Sequence, residues 1–320
     1  MKKPVIFITR KIPEAVLDPY RKSFELLMWD EEETPVPRDV LLQEAKGADG
    51  VLCLLTEKID REFFDTAGSL KVVANMAVGF DNIDTEAAKE KGVVVTNTPD
   101  VLTETTADLA FALLMAAARR IVEASDYIRE GKWEHWSPYM LAGSDVHGKT
   151  IGIVGMGRIG EAVARRAKGF GMSIIYHNRS RKVDAEKELD AKYKDFNSLL
   201  EEADFVVCLT PLTNETRNMF SEDTFKRMKD SAVFVNVSRG GTVDEEALYH
   251  AVEREEIAAA GLDVFQNEPI CADHPLVQLK NVVCLPHIGS SSTETRTKML
   301  ELCLDNLKAV FNDEPPITPV

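Results

Sequence analysis

The stretch "TIGIVGMGRIGEAVARRAKGFG", residues 150–171, decides how the rest of the chain is read. It begins as a β-like apolar run, turns through Gly155, Gly157 and Gly160, and continues as a helical pattern. The spacing is G-x-G-x-x-G. The first glycine permits the tight turn, the second lets the backbone approach a pyrophosphate, and the third lets the helix lie close to the strand. The opening helix then offers free N–H groups and a positive dipole end to phosphate. Alone, this spacing also fits a plain tight turn; between a strand and a helix it predicts dinucleotide binding.

Outward from this motif, the chain alternates apolar runs with helical patterns. Downstream come "MSIIYH" (172–177), "ADFVVCL" (203–209), "AVFVNV" (232–237), "AAAGLDV" (258–264) and "NVVCLP" (281–286). Together with "KTIGIVG" (149–155) these suffice for a complete doubly wound sheet. Upstream, "PVIFI" (4–8), "GVLCLL" (50–55), "LKVVANM" (70–76) and "GVVVTN" (92–97) alternate with helical segments such as "PRDVLLQEAKGA" and "DTEAAKEKG". Near-continuous apolar strands separated by helices indicate parallel sheets covered on both faces. The fold class is therefore α/β. "TETTADLAFALLMAAARRI" (103–121) contains no Gly or Pro and reads as one long buried helix. The tail "SSTETRTKMLELCLDNLKAVF" reads as another helix, opened by a capping box from Ser291 to Glu294.

A chain of 320 residues exceeds what one core usually serves, so two domains are expected. The composition, 44% hydrophobic and 28% charged, is that of an ordinary globular protein. A formal charge of −15 argues against nucleic acid and anionic membrane as partners, but not against a small anion in a local cationic pocket. No run approaches the ~20 apolar residues that span a bilayer. The N-terminal run Val5 to Thr9 is too short for a secretion signal. The cysteines, Cys53, Cys208, Cys271, Cys284 and Cys303, are odd in number and lack C-x-x-C spacing. They read as reduced thiols of a cytoplasmic protein.

"GSDVHGKT" (143–150) fits the phosphate-loop pattern letter for letter. It runs into a strand instead of opening a helix, so it is a chance match. Arg239, Glu268 and His287 each follow the carboxyl end of an expected strand, the edge where parallel sheets bind ligands. An arginine, a carboxylate and a histidine there suit acid–base chemistry on a small carboxylate-bearing molecule. The remaining histidines show no metal-ligand spacing, so no metal is expected, and no G-x-S-x-G elbow suggests a hydrolase. After "MSIIYH", where an NAD-selective fold places an acid for the adenine ribose, stand Asn178, Arg179, Ser180 and Arg181. A neutral residue followed by arginines predicts NADP(H) as the preferred cofactor, with NAD(H) as the second option.

These motifs together resemble the D-isomer-specific 2-hydroxyacid dehydrogenases. The resemblance rests on "GIVGMGRIGEAVARRAKGFGM", "VNVSRGGTVDEEAL", "AAAGLDVFQNEP", "LPHIGSSSTETR", "NMAVGFDNID" and "VVVTNTPDVLTETTADLAFALLMAAAR", nearly the whole chain. "GKWEHWSPYMLAG", "PDVLTETTADLA" and the basic "NRSRK" are similar to the glyoxylate/hydroxypyruvate reductase branch. The resemblance implies two doubly wound domains: a flavodoxin-like substrate domain, residues 1–100 with 288–320, and a Rossmann domain, residues 101–287. It places the active site in the cleft between them. It implies reduction of small 2-oxo acids such as glyoxylate and hydroxypyruvate. Arg239 would hold the carboxylate and polarise the carbonyl, and His287, oriented by Glu268, would act as general acid. It further implies cofactor contacts at Gly155, Met156, Gly157, Arg158, Ile159, Gly160, Thr106, Pro211, Thr216, Val237, Ser238, Asp263 and Gly289. Substrate contacts would come from Leu55, from the backbone of Val78 and Gly79, and from Trp136, reaching in from the second subunit of a homodimer. The alternatives are a 2-ketogluconate reductase, a phosphoglycerate dehydrogenase, or an NAD(H)-sensing protein of the corepressor type.

Overall fold

Val- and Ile-rich runs with no polar face need cover on both sides. The computed structural model, which describes residues 2–320, builds them into two sheets in which every named strand pair is parallel. The chain divides into two compact units, Met1–Leu102 with Ser291–Val320, and Thr103–Ser290. The expected divisions were 100/101 and 287/288.

In the first unit the strands are β1 (Val5–Ile8), β2 (Glu25–Met28), β3 (Gly50–Cys53), β4 (Val72–Asn75) and β5 (Val94–Thr96), in the order β2-β1-β3-β4-β5. That is the flavodoxin-like order. β1, β3 and β4 are buried along their whole length. β2, which carried no strand signal, is an edge strand alternating between exposed and half-buried residues. The helix Thr293–Phe311 packs on β3 and β4. Its N-cap is Ser292, whose hydroxyl accepts from Thr295 N–H at 3.2 Å, so the expected box from Ser291 to Glu294 is one residue out of register. Consecutive serines made the choice ambiguous in sequence.

The second unit holds β6 (Thr150–Val154), β7 (Ser173–His177), β8 (Lys192–Tyr193), β9 (Phe205–Cys208), β10 (Val233–Asn236), β11 (Ala259–Leu262) and β12 (Val282–Cys284). Their order is β12-β11-β10-β9-β6-β7-β8. The order reverses between β6 and β9, and at such a switch point the crevice beyond the strand ends takes ligands. One core lies under the helices Thr103–Ala118 and Arg158–Gly169, the other under Leu199, Phe220, Phe225 and Leu248 on the opposite face.

The helix expected over 103–121 stops at Ala118, and a second one runs over Ile121–Arg129. Nothing local breaks it. Ser144 N–H reaches the Ala118 carbonyl at 2.8 Å, and Arg120 turns left-handed at φ 53°. A Cβ on Gly143 would collide with that carbonyl, so only glycine admits the approach. Along this stretch, a run of exposed apolar residues lies on the segment 121–139, not on the helix before it. It comprises Ile121, Val122, Ile128, Trp133, Trp136 and Tyr139. Among the described residues, no helix is long and apolar enough to cross a membrane.

Candidate active site

The glycine turn has the space a pyrophosphate needs. Gly155 sits at φ 104°, where a Cβ would come within 2.7 Å of the Leu209 backbone at the end of β9. On Gly160 a Cβ would stand 2.5 Å from the Gly155 carbonyl, so the helix can lie this close only without one. Gly157 is different: a Cβ there would meet nothing within 4 Å. Open space above an exposed glycine, at a helix start without a side-chain cap, leaves first-turn N–H groups to an anion. Met156 is buried, and Asn178 grips its peptide from both sides: Met156 N–H donates to Oδ1 at 2.7 Å and Nδ2 donates to the carbonyl at 3.1 Å. The Asn178 amide is thus committed to holding the loop.

In the basic turn after β7, the two arginines are not equivalent. Arg181 places Nε and Nη2 on the two oxygens of Glu186, at 3.0 and 2.6 Å. Tyr176 Oη, otherwise buried, donates to the same carboxylate at 2.6 Å. The Arg181 hydrogen bond, followed by that from Tyr176, holds the Glu186 carboxyl below its ordinary value. Arg179 is exposed and makes no hydrogen bond or ion pair among the described residues; Glu215 feels its charge.

Three loops at the carboxyl edge of the sheet carry the ionisable residues. Arg239 follows β10; its carbonyl accepts from Asn236 Nδ2 at 3.1 Å and Thr242 Oγ1 at 2.8 Å. A Cβ on Gly240 would run into the Phe265 backbone, so the loops after β10 and β11 press together. Glu268 accepts Phe265 N–H at 3.0 Å on Oε1 and meets His287 Nδ1 at 2.7 Å on Oε2. Burial pushes this carboxyl up, but the His287 hydrogen bond and charge, the Phe265 amide and the Arg239 charge together bring it below the ordinary value. It is a carboxylate near neutrality. It fixes the proton of His287 on Nδ1 and leaves Nε2 for a reacting group. His287 itself occupies a left-handed conformation at φ 52°. Asp263, 1% exposed, holds the residues that follow: Oδ1 accepts Ile288 N–H and Oδ2 accepts Gly289 N–H, both at 2.8 Å. Burial raises the Asp263 carboxyl to about 6. A carboxylate-paired imidazole beside a guanidinium, next to a dinucleotide cradle, can deliver a proton to an oxygen while a carboxylate is held.

Of the other expected contacts, Val237 and Ser238 are buried after β10, Ser238 Oγ donating to Asn236 Oδ1 at 2.8 Å. Thr106 lies against Gly289. Thr216 Oγ1 donates to the Pro211 carbonyl at 2.6 Å, closing the loop after β9. Arg158 and Ile159 start the helix after the glycine turn. In the first unit, Leu55 follows β3, and Val78 and Gly79 follow β4. Trp136 is 76% exposed and makes no hydrogen bond or ring contact with the three ionisable residues among the described residues. Not anticipated were Asn75, Asn82 and Asn97, which bind the loops of Leu55, Val78 and Gly79. The only signal was an asparagine at a strand end, which usually means a turn.

Residues 111–289 match the family described as D-isomer specific 2-hydroxyacid dehydrogenase, NAD binding domain. The chain is 54% identical over 315 residues to the glyoxylate reductase of Korarchaeum cryptofilum, covering 98% of this chain and 95% of that one. Among solved structures, a protein of Thermus thermophilus is 44% identical with a TM-score of 0.93, covering 99% of both chains. The NADPH-dependent glyoxylate/hydroxypyruvate reductase of Sinorhizobium meliloti, in complex with NADP and malonate, is 36% identical with a TM-score of 0.86. It covers 100% of this chain and 97% of that one.

Proposed function

The chain belongs to the D-isomer specific 2-hydroxyacid dehydrogenase family, and on that footing we propose that it reduces glyoxylate, and hydroxypyruvate beside it, to the 2-hydroxy acids. It is a nicotinamide-dependent oxidoreductase. The observation that carries the reading is the 2.7 Å pair of His287 and Glu268 on the sheet edge that also bears Arg239 and the glycine turn. The turn of Gly155, Gly157 and Gly160 would hold a nicotinamide dinucleotide, which would supply the hydride. Arg239 pairs its planar fork with the substrate carboxylate and polarises the carbonyl, a geometry lysine cannot copy. His287 gives its Nε2 proton to the developing alkoxide, a general-acid contribution of ~10²- to 10⁴-fold. Glu268 faces Nδ1 and holds the ring's orientation.

The preferred cofactor in this reading is NADPH. No acid stands at the end of β7, and Asn178 is occupied by the glycine loop. Arg179, without an ion pair, would be the residue to meet a 2′-phosphate, while Arg181 is already held by Glu186. The Sinorhizobium neighbour's NADP complex points the same way. The exposed apolar segment 121–139 pairs with a second copy, so the enzyme is a homodimer, and Trp136 acts from the partner side. A light-scattering mass near 35.6 kDa at micromolar concentration would contradict that.

Steady-state oxidation of NADPH and of NADH by glyoxylate tests the function. Turnover with higher kcat/KM for NADPH is expected. NADPH binding without turnover would mean a nucleotide sensor instead.

A further inference from the structure

Three consecutive carbonyls in the loop after β4 are each held from behind. The Ala77 carbonyl accepts Thr98 N–H at 2.9 Å, the Val78 carbonyl accepts Asn97 Nδ2 at 2.8 Å, and the Gly79 carbonyl accepts Asn75 Nδ2 at 2.9 Å. In a planar trans peptide, a carbonyl and the following N–H point in opposite directions. Fixing these carbonyls therefore turns the N–H groups of Val78, Gly79 and Phe80 away from Thr98, Asn97 and Asn75, respectively. None of the three has a protein acceptor among the described residues, and Val78 and Phe80 are 36% and 40% exposed. Successive free N–H groups form a donor row suited to an anion.

The two asparagines are themselves fixed. Asn75, fully buried at the end of β4, shares a weak side-chain contact with Asn82. Asn82 Nδ2 in turn donates to the carbonyls of Leu54 and Glu57, both at 3.1 Å, and so ties in the loop of Leu55. Asn97 is held by Thr318, whose hydroxyl donates to the Asn97 carbonyl at 2.6 Å. Thr318 is held by Asn306 through two hydrogen bonds, at 2.9 and 3.0 Å.

We propose that Asn97 and Asn75 are positioning residues that aim the amides of Gly79 and Phe80, respectively, at the substrate carboxylate, beside the Val78 amide set by Thr98. The carboxylate as ligand rests on the function proposed above; the direction of the amides does not. A carbonyl released from its asparagine can rotate, and the donor row then loses its alignment. Part-exposed Asn97 is the safer site to change, because Asn75→Ala opens a buried polar hole.

The test measures KM for glyoxylate, kcat, KM for NADPH, and calorimetric binding of oxalate to the NADPH-loaded protein. Asn97→Ala should raise both KM for glyoxylate and Kd for oxalate by about tenfold or more, the equivalent of one charge-assisted hydrogen bond. The kcat and the NADPH KM should stay within about twofold, the signature of lost ground-state binding. Asn97→Gln, which keeps the amide, should recover part of the loss. Unchanged glyoxylate KM and oxalate Kd in Asn97→Ala would overturn the proposal. So would parallel losses in kcat and NADPH affinity, which mean general damage. If the parent binds oxalate but does not turn over glyoxylate, the function fails separately, and the oxalate comparison still decides the role of Asn97.

Discussion

Replacing Asp263 with Asn separates two effects that the parent combines. At neutral pH the parent carboxylate accepts two backbone N–H groups, from Ile288 and Gly289, and so fixes the chain just past His287. Burial opposes that charge and carries the pKa from 3.8 to about 6. A native carboxyl that binds its proton more tightly than the unfolded one makes stability fall as pH rises between these values. The loss amounts to about 3 kcal/mol at neutral pH. Asparagine removes the buried charge, but its NH₂ faces one of the two N–H donors, costing a charge-assisted hydrogen bond of ~1.5–3 kcal/mol. The stability effects nearly cancel at pH 7, and the parent's decline between about pH 4 and 6 should flatten in Asp263→Asn. Turnover does not benefit from the cancellation. With the turn after His287 loosened, kcat should fall about 10- to 100-fold, as for a misplaced catalytic group. Thermal unfolding across pH 4 to 7, with kcat at pH 7, reads both. A variant whose stability follows the parent's pH profile, or whose kcat is intact, would refute this reasoning.

Glu268→Gln removes the carboxylate that faces His287 Nδ1, so kcat should fall while NADPH affinity is kept; an unchanged kcat would mean that the pair does not limit turnover. Arg179→Ala should lose most of the preference for NADPH over NADH, ~10- to 150-fold, while Arg181→Ala should lose less because its fork already serves Glu186. Paired kcat/KM values for both nucleotides check the ranking. Gly160→Ala should weaken NADPH binding, measured by fluorescence titration, because its Cβ would meet the Gly155 carbonyl at 2.5 Å and push the helix off the strand.

The strands were legible wherever burial covers both faces, as in β1, β3, β4 and the strands of "GIVG" and "VFVNV". β2 was not, because an edge strand with alternating exposure reads as polar chain between helices. The end of the helix at Ala118 was equally hidden, since it is imposed by Gly143 and Ser144, distant in sequence. Arg239, Glu268 and His287 stood out because their residue types are unusual after buried strands. The asparagines behind Val78 and Gly79 did not, because their role depends on which carbonyls they face. The roles of Asn178 and Arg181 were obscured likewise: sequence places a side chain beside the cofactor but cannot tell that it is already engaged.

The role proposed for His287 is to supply the proton during reduction of a small 2-oxo acid. Its most direct test compares the parent with His287→Gln under saturating NADPH and glyoxylate, alongside NADPH binding by fluorescence. NADPH affinity should stay unchanged while kcat falls by ~10²-fold or more. Near-parent turnover in His287→Gln, with the fold intact, would contradict it.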